Sequence, residues 1–212
     1  MGFHEDAARY LEIYRHSQGN TPPPAGHCLP HPGFLSIPEK YSYIRWINEH
    51  GAILWAVSEH YLLTRDEAFL NKWLPSILAA CQWVYDQRRH TDHPGVTGIL
   101  PPAIATDEKQ PDQYIWNDGW VYKGLTTAIK VLKSINHPEA ANWANEAAEY
   151  KVRFNEVFSE VCKQMPAWKA DDGTERRLIP TKITGDTTEI LRHAFYLDTG
   201  PLFLAFSGLV DI

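Results

Sequence analysis

Three short apolar knots ending in proline punctuate this chain: Gly33-Phe34-Leu35-Ser36-Ile37-Pro38, Gly98-Ile99-Leu100-Pro101-Pro102 and Arg177-Leu178-Ile179-Pro180. Each follows a stretch of helical period and precedes a more apolar one, so the chain reads as a repeat before it reads as a fold. Pro101 lies 17 residues before Asp118, Pro180 lies 18 before Asp198, and the first copy is shorter, with Pro38 11 residues before Glu49. At an offset of 70, Trp46 lies over Trp116, Leu62 over Leu132 and Trp73 over Trp143, and the turns Thr64-Arg65-Asp66 and Ser134-Ile135-Asn136 coincide.

The helical runs follow from apolar spacing. Residues 3–17 carry a stripe of Phe3, Ala7, Tyr10, Leu11 and Tyr14, and residues 42–64 carry Ile44, Ile47, Ile53, Leu54, Val57, Tyr61 and Leu62. A tight turn leads to 66–89, with Asp66 as N-cap and Pro75 predicting a kink or restart. The pattern returns at 118–135 and, after Asn136-His137-Pro138, from Pro138 to about 160. A last apolar helix is expected at 199–210, with a helical stretch at 187–196 before it. No strand pattern is visible, and Asp171-Asp172-Gly173 reads as a turn inside a long loop.

The unit is therefore inner helix, tight turn, outer helix, long loop. Two antiparallel helices joined by a short turn form an αα-hairpin, and one hairpin cannot bury both of its faces, so hairpins stack. Alternation of tight and long connections differs from the short connections of a 34-residue helical repeat. The expected fold is all-α: αα-hairpin repeats in a single domain over 1–212, arranged as part of an (α/α)6-type toroid with its long loops at one rim.

Composition narrows the function. A net charge of −6 with no Lys or Arg run gives no footprint for nucleic acid. No segment approaches the ~20 apolar residues of a membrane span, and the first residues lack the apolar stretch of a signal peptide; the compartment is left open. Three widely spaced Cys argue against a disulfide framework. His27-Cys28-x-x-His31 has a metal-like look but lies in a Pro-rich loop without a second pair of ligands, so neither metal nor cofactor is expected.

Three features carry a resemblance: the Gly-Ile-Leu-Pro loop at 98–101, the helix opening Trp116-Asn117-Asp118-Gly119-Trp120, and Leu197-Asp198-Thr199-Gly200-Pro201. In these the chain resembles the six-hairpin glycosidases, the (α/α)6 toroids that include glucoamylase-like, trehalase-like and rhamnosidase-like enzymes. With three inner and three outer helices, it resembles about half of one, a segment of a larger toroid. Its open apolar edges would be covered by a second copy or a partner chain.

The resemblance implies a carbohydrate ligand at the rim where inner helices begin. Inverting glycosidases pair a carboxylic acid with a carboxylate about 6.5–9.5 Å away. The candidate catalytic residues are Asp118, Glu49 and Asp198, each also a plausible helix cap or buried acid. Trp46, Asn48, Tyr114, Trp116, Asn117 and Trp120 are the candidate sugar contacts, with core packing as their ordinary alternative, while Trp73 and Trp143 read as structural. The expected function is a glycoside hydrolase-like domain acting on or binding a carbohydrate. A non-catalytic binding protein is the alternative. A polysaccharide lyase, drawing on Tyr114, Tyr122 and Arg45, is third.

Overall fold

The structure, a computed structural model, describes residues 2–38, 46–105, 110–185 and 201–210. Six helices account for most of them: α1 (His4–Ser17), α2 (Ile47–Thr64), α3 (Glu67–Arg89), α4 (Ile115–Ser134), α5 (Ala140–Gln164) and α6 (Pro201–Ser207). The class is all-α. No described helix is long and apolar enough to cross a membrane.

Local chemistry sets the two tight turns. Asp66 caps α3, its Oδ1 accepting from the backbone N–H groups of Ala68 and Phe69 at 2.9 and 3.0 Å. Arg65 and Asn136 take left-handed backbone at φ 55 and 53, which lets each chain reverse within a few residues. Pro75 does not restart the helix, because α3 runs unbroken through it. Pro75 and Asn71, whose carbonyl loses its partner, are both exposed, so water can take that bond. Helix α5 begins at Ala140 after an N-cap at Glu139, two residues later than Pro138 predicts.

The helices form two layers. α2, α4 and α6 lie side by side, with α4 in the middle, while α1 and α3 pack on α2, α3 also meets α4, and α5 covers α4. The tightest crossing joins α2 to α4. A Cβ on Gly51 would lie 2.3 Å from the Trp120 carbonyl carbon and oxygen, and one on Gly124 would lie 2.5 Å from the Gly51 oxygen. Both positions need glycine for backbone approach rather than for conformation. Alanine is ordinarily the better helix former by about 1 kcal/mol, yet here its methyl group meets backbone that cannot yield. Gly51→Ala is expected to lower stability by about 2 kcal/mol, read as a lower urea midpoint at unchanged slope; a rise would show that the helices do not approach so closely.

The long connectors meet one another. Ile104 N–H donates to the Ala25 carbonyl at 2.9 Å and His27 N–H to that of Pro102 at 2.8 Å. Ile115 and Ile183 N–H groups donate to Thr181 and Gln113 at 3.0 and 2.7 Å. Two buried amides zip the loops further. Gln87 bonds both the N–H and the carbonyl of Leu29, and Gln113 holds Val96 from both sides and also donates to the Leu100 carbonyl. The connectors are thus gathered at the end where α2 and α4 begin.

The expectation of no strands is corrected. β1 (Ala167–Lys169) pairs antiparallel with β2 (Glu175–Arg177) around the Asp171-Asp172-Gly173 turn. Gly173 takes φ +81, and Asp172 Oδ1 accepts from the Thr174 backbone and hydroxyl. Both strands are three residues long and exposed throughout, so no alternation of apolar and polar residues marks them.

Candidate functional site

The knots and the inner-helix starts are joined by one repeated interaction. Ile37 N–H donates to Glu49 Oε2 at 3.3 Å, and Leu100 N–H donates to Asp118 Oδ1 at 3.2 Å. In each copy the donor is the residue just before the proline, and the acceptor is an acid in the first turn of an inner helix. Glu49 and Asp118 are therefore structural equivalents 69 positions apart, as are Asn48 and Asn117. This shifts by one the register that lays Trp46 over Trp116.

Helix α4 starts three residues before Asp118, at Ile115, with Tyr114 as N-cap and no side-chain cap. Asp118 consequently lies inside the first turn, and its side chain faces the outer layer. Its Oδ1 also accepts from the Tyr150 hydroxyl of α5 at 2.7 Å, while Oδ2 is buried with no partner. Burial raises the carboxyl to about 7, against the lowering effects of Tyr150, Leu100 and Arg88.

Behind Asp118 runs a buried polar chain. The Arg88 guanidinium lies 4.3 Å from the Tyr150 ring centroid and donates to the Gly98 carbonyl at 3.1 Å. It is paired with Glu146, which also takes Arg89 at 2.9 Å. Asp118, Tyr150, Arg88 and Glu146 tie α3, α4, α5 and the 98–101 loop together. In the first copy His50 does related work. Its Nδ1 accepts from Leu35 N–H at 3.1 Å, so Nε2 donates to the Ala80 carbonyl at 3.2 Å. Burial pushes His50 down to about 3 and keeps it neutral.

The indoles lie on the other side of α4. Trp116, Trp120 and Lys123 follow at helical spacing, whereas Asp118, two residues from each Trp, points away from them. Trp55 of α2 approaches Trp120 at 5.7 Å and reaches Phe206 of α6 at 6.0 Å between ring centroids. Phe203 stacks on Trp120 at 4.2 Å and meets Trp116 at 4.9 Å. Rings from α2 and α6 thus meet over α4 on the face opposite α5. Trp55, Trp116 and Trp120 are half-buried, and Phe206 is 52% exposed.

The same end concentrates polar atoms without partners. The indole N–H groups of Trp46, Trp116 and Trp120, Asn48 Oδ1, both side-chain polar atoms of Asn117, and Asp118 Oδ2 are all buried and unbonded. Buried polar groups are ordinarily bonded, and Asn117 is only 2% exposed.

Of the expected contacts, Trp116 and Trp120 come together on the inner face. Trp46 precedes α2 as its N-cap, and Asn48 and Asn117 occupy matched first-turn positions. Tyr114 is buried among the loops, its hydroxyl donating to Gln110 and its ring 5.6 Å from the Lys182 ammonium. Trp73 and Trp143 are buried in the outer layer. Asp198 and Arg45, the start of the 42–64 helix and the 187–196 stretch lie outside the described residues. Trp55 and Phe206 were not singled out from sequence; Trp55 sits in a continuous apolar run where nothing marks its inward aim.

The metal-like cluster has other work. Cys28 is buried with its thiol pushed up, and His31 donates to Asp86 at 3.0 Å while accepting from Gly33 N–H. Among the described residues no three His, Cys, Asp or Glu side chains gather as a metal site. The outer layer carries a cleft of about 430 Å³ between α3 and α5, lined by Tyr85, Arg89, Trp143 and Glu146 among others. No protein-family model and no curated protein matches this chain.

Proposed function

We propose that this chain is a glycoside hydrolase-like helical-hairpin domain that binds a carbohydrate on the shared inner face of α2, α4 and α6. The observation that carries the reading is the half-buried stripe of Trp55, Trp116 and Trp120 beside Phe206. Flat rings with partial exposure suit the apolar faces of sugars. Unmatched donors and acceptors on Asn48, Asn117 and the indoles at the same end suit hydroxyl groups.

Between hydrolysis and binding alone, the direction of Asp118 favours binding by this chain. It stands behind the indole stripe and accepts from Leu100 and Tyr150, which fits a group that holds the rim loop in place. The lyase reading gains little, since Tyr114 is buried and Tyr122 packs edge-on against Tyr150.

Titration with a panel of oligosaccharides, followed by tryptophan fluorescence and by analysis of product ends, tests the reading. At least one sugar is expected to bind, with Trp120→Ala or Trp55→Ala weakening it about tenfold or more, which corresponds to ~1.4 kcal/mol. Trp168→Ala, in the exposed β1 strand, is expected to leave binding unchanged. Absence of binding across the panel, or equal loss with Trp168→Ala, would sink it.

A further inference from the structure

Lys123 continues the stripe of Trp116 and Trp120, three positions beyond Trp120 on α4. It is half-buried, and its ammonium lies 4.3 Å from the Phe206 ring centroid. Among the described residues no carboxylate comes within 4 Å of it. Glu59 acts on it only from farther away and accepts from the Trp55 indole N–H at 3.3 Å. Lys130, two turns on, adds positive charge along the same helix. Loss of water lowers the Lys123 amine from its ordinary value, with Lys130 acting in the same direction and Glu59 against it.

A cation partly stripped of water and without a counter-charge in contact is costly unless something pairs it. An aromatic ring offers part of that compensation; Phe206, which supplies it, also meets Trp55 at 6.0 Å between ring centroids, and Trp55 in turn approaches Trp120 at 5.7 Å. We infer that the inner face takes a negatively charged sugar, its anionic group paired with Lys123 and its ring against Trp55 and Trp120. This rests on the carbohydrate reading above and narrows it to acidic rather than neutral glycans. An ammonium is a point charge without the fork of a guanidinium, so it accepts a carboxylate or a sulfate alike.

The test compares charged and uncharged forms of one skeleton: oligogalacturonate against its methyl ester, and a sulfated oligosaccharide against its unsulfated parent. At least one charged member is expected to bind about tenfold tighter than its neutral counterpart at low salt, with the difference shrinking as ionic strength rises. Lys123→Met is expected to reduce that preference to within about twofold without lowering the thermal midpoint, and Lys123→Arg to retain it. Neutral forms binding as tightly as charged ones, with affinity still dependent on Trp120, would overturn the charge inference alone. No binding by any member would overturn it together with the carbohydrate reading.

Discussion

Asp118→Asn is expected to tilt the pH dependence of stability. Free of the fold, an aspartate titrates near 3.9; in the folded protein Asp118 is raised to about 7. The native state therefore holds the proton more tightly than the unfolded chain. The stabilising contribution is complete below about pH 4 and is lost as pH rises towards 7. That difference between folded and unfolded chain corresponds to roughly 4 kcal/mol. The amide introduced by Asp118→Asn cannot titrate, so the stability of the parent relative to the variant should fall by roughly that amount between pH 4 and 8, measured by urea unfolding at each pH. His50 works in the opposite sense. Held at about 3 in the fold against ~6.5 when free, it contributes stability above pH 6.5 that is lost as pH falls towards 3. The two slopes offset each other in the parent protein, and Asp118→Asn should expose the histidine's acid instability. A difference that stays flat across pH 4–8 would mean that Asp118 is hydrated and ordinary.

Glu146→Ala is expected to cost more than any single change on the surface. The side chains of Arg88 and Glu146 are 5% and 4% exposed, and removing one partner of a buried pair leaves an uncompensated charge at about 3–5 kcal/mol. Arg88 would retain only the Gly98 carbonyl, the Glu146 backbone and the Tyr150 ring. The pair Arg88→Met with Glu146→Met should be less harmful than Glu146→Ala alone, because no charge is then stranded. Since Arg88 also holds Gly98, amide exchange at Ile99 and Leu100 should accelerate in Glu146→Ala well before global unfolding. If the double replacement proves worse than the single one, the pair itself is the source of stability.

The alternation of tight turn and long loop was legible from residues, because Asp66 caps and proline knots are local chemistry. The two-layer arrangement followed from the same pattern. What escaped was direction. Tyr114 offers no side-chain cap to α4, so Asn117 and Asp118, good capping residues, marked the start three positions late and set Asp118 on the rim. Moving the start to Ile115 turns that carboxyl towards Tyr150 and separates it from Trp116 and Trp120. Trp55 was hidden for a different reason: the polar residues of α2, among them Asn48, Glu49, His50, Ser58, Glu59 and His60, are spread around the helix, so no periodicity singles out the side that carries Trp55. The one-residue slip in register arose because Trp46 and Trp116 match as letters, whereas the bonds from Ile37 and Leu100 match Glu49 with Asp118.

Oxidative footprinting of aromatic side chains, with and without a bound oligosaccharide, addresses the inner-face assignment residue by residue. Protection of Trp55, Trp116 and Trp120, with Trp168 and Tyr85 unchanged, is the predicted pattern. Protection at Trp168 or in the cleft by Tyr85 and Trp143, with the three inner indoles oxidised as before, would contradict it.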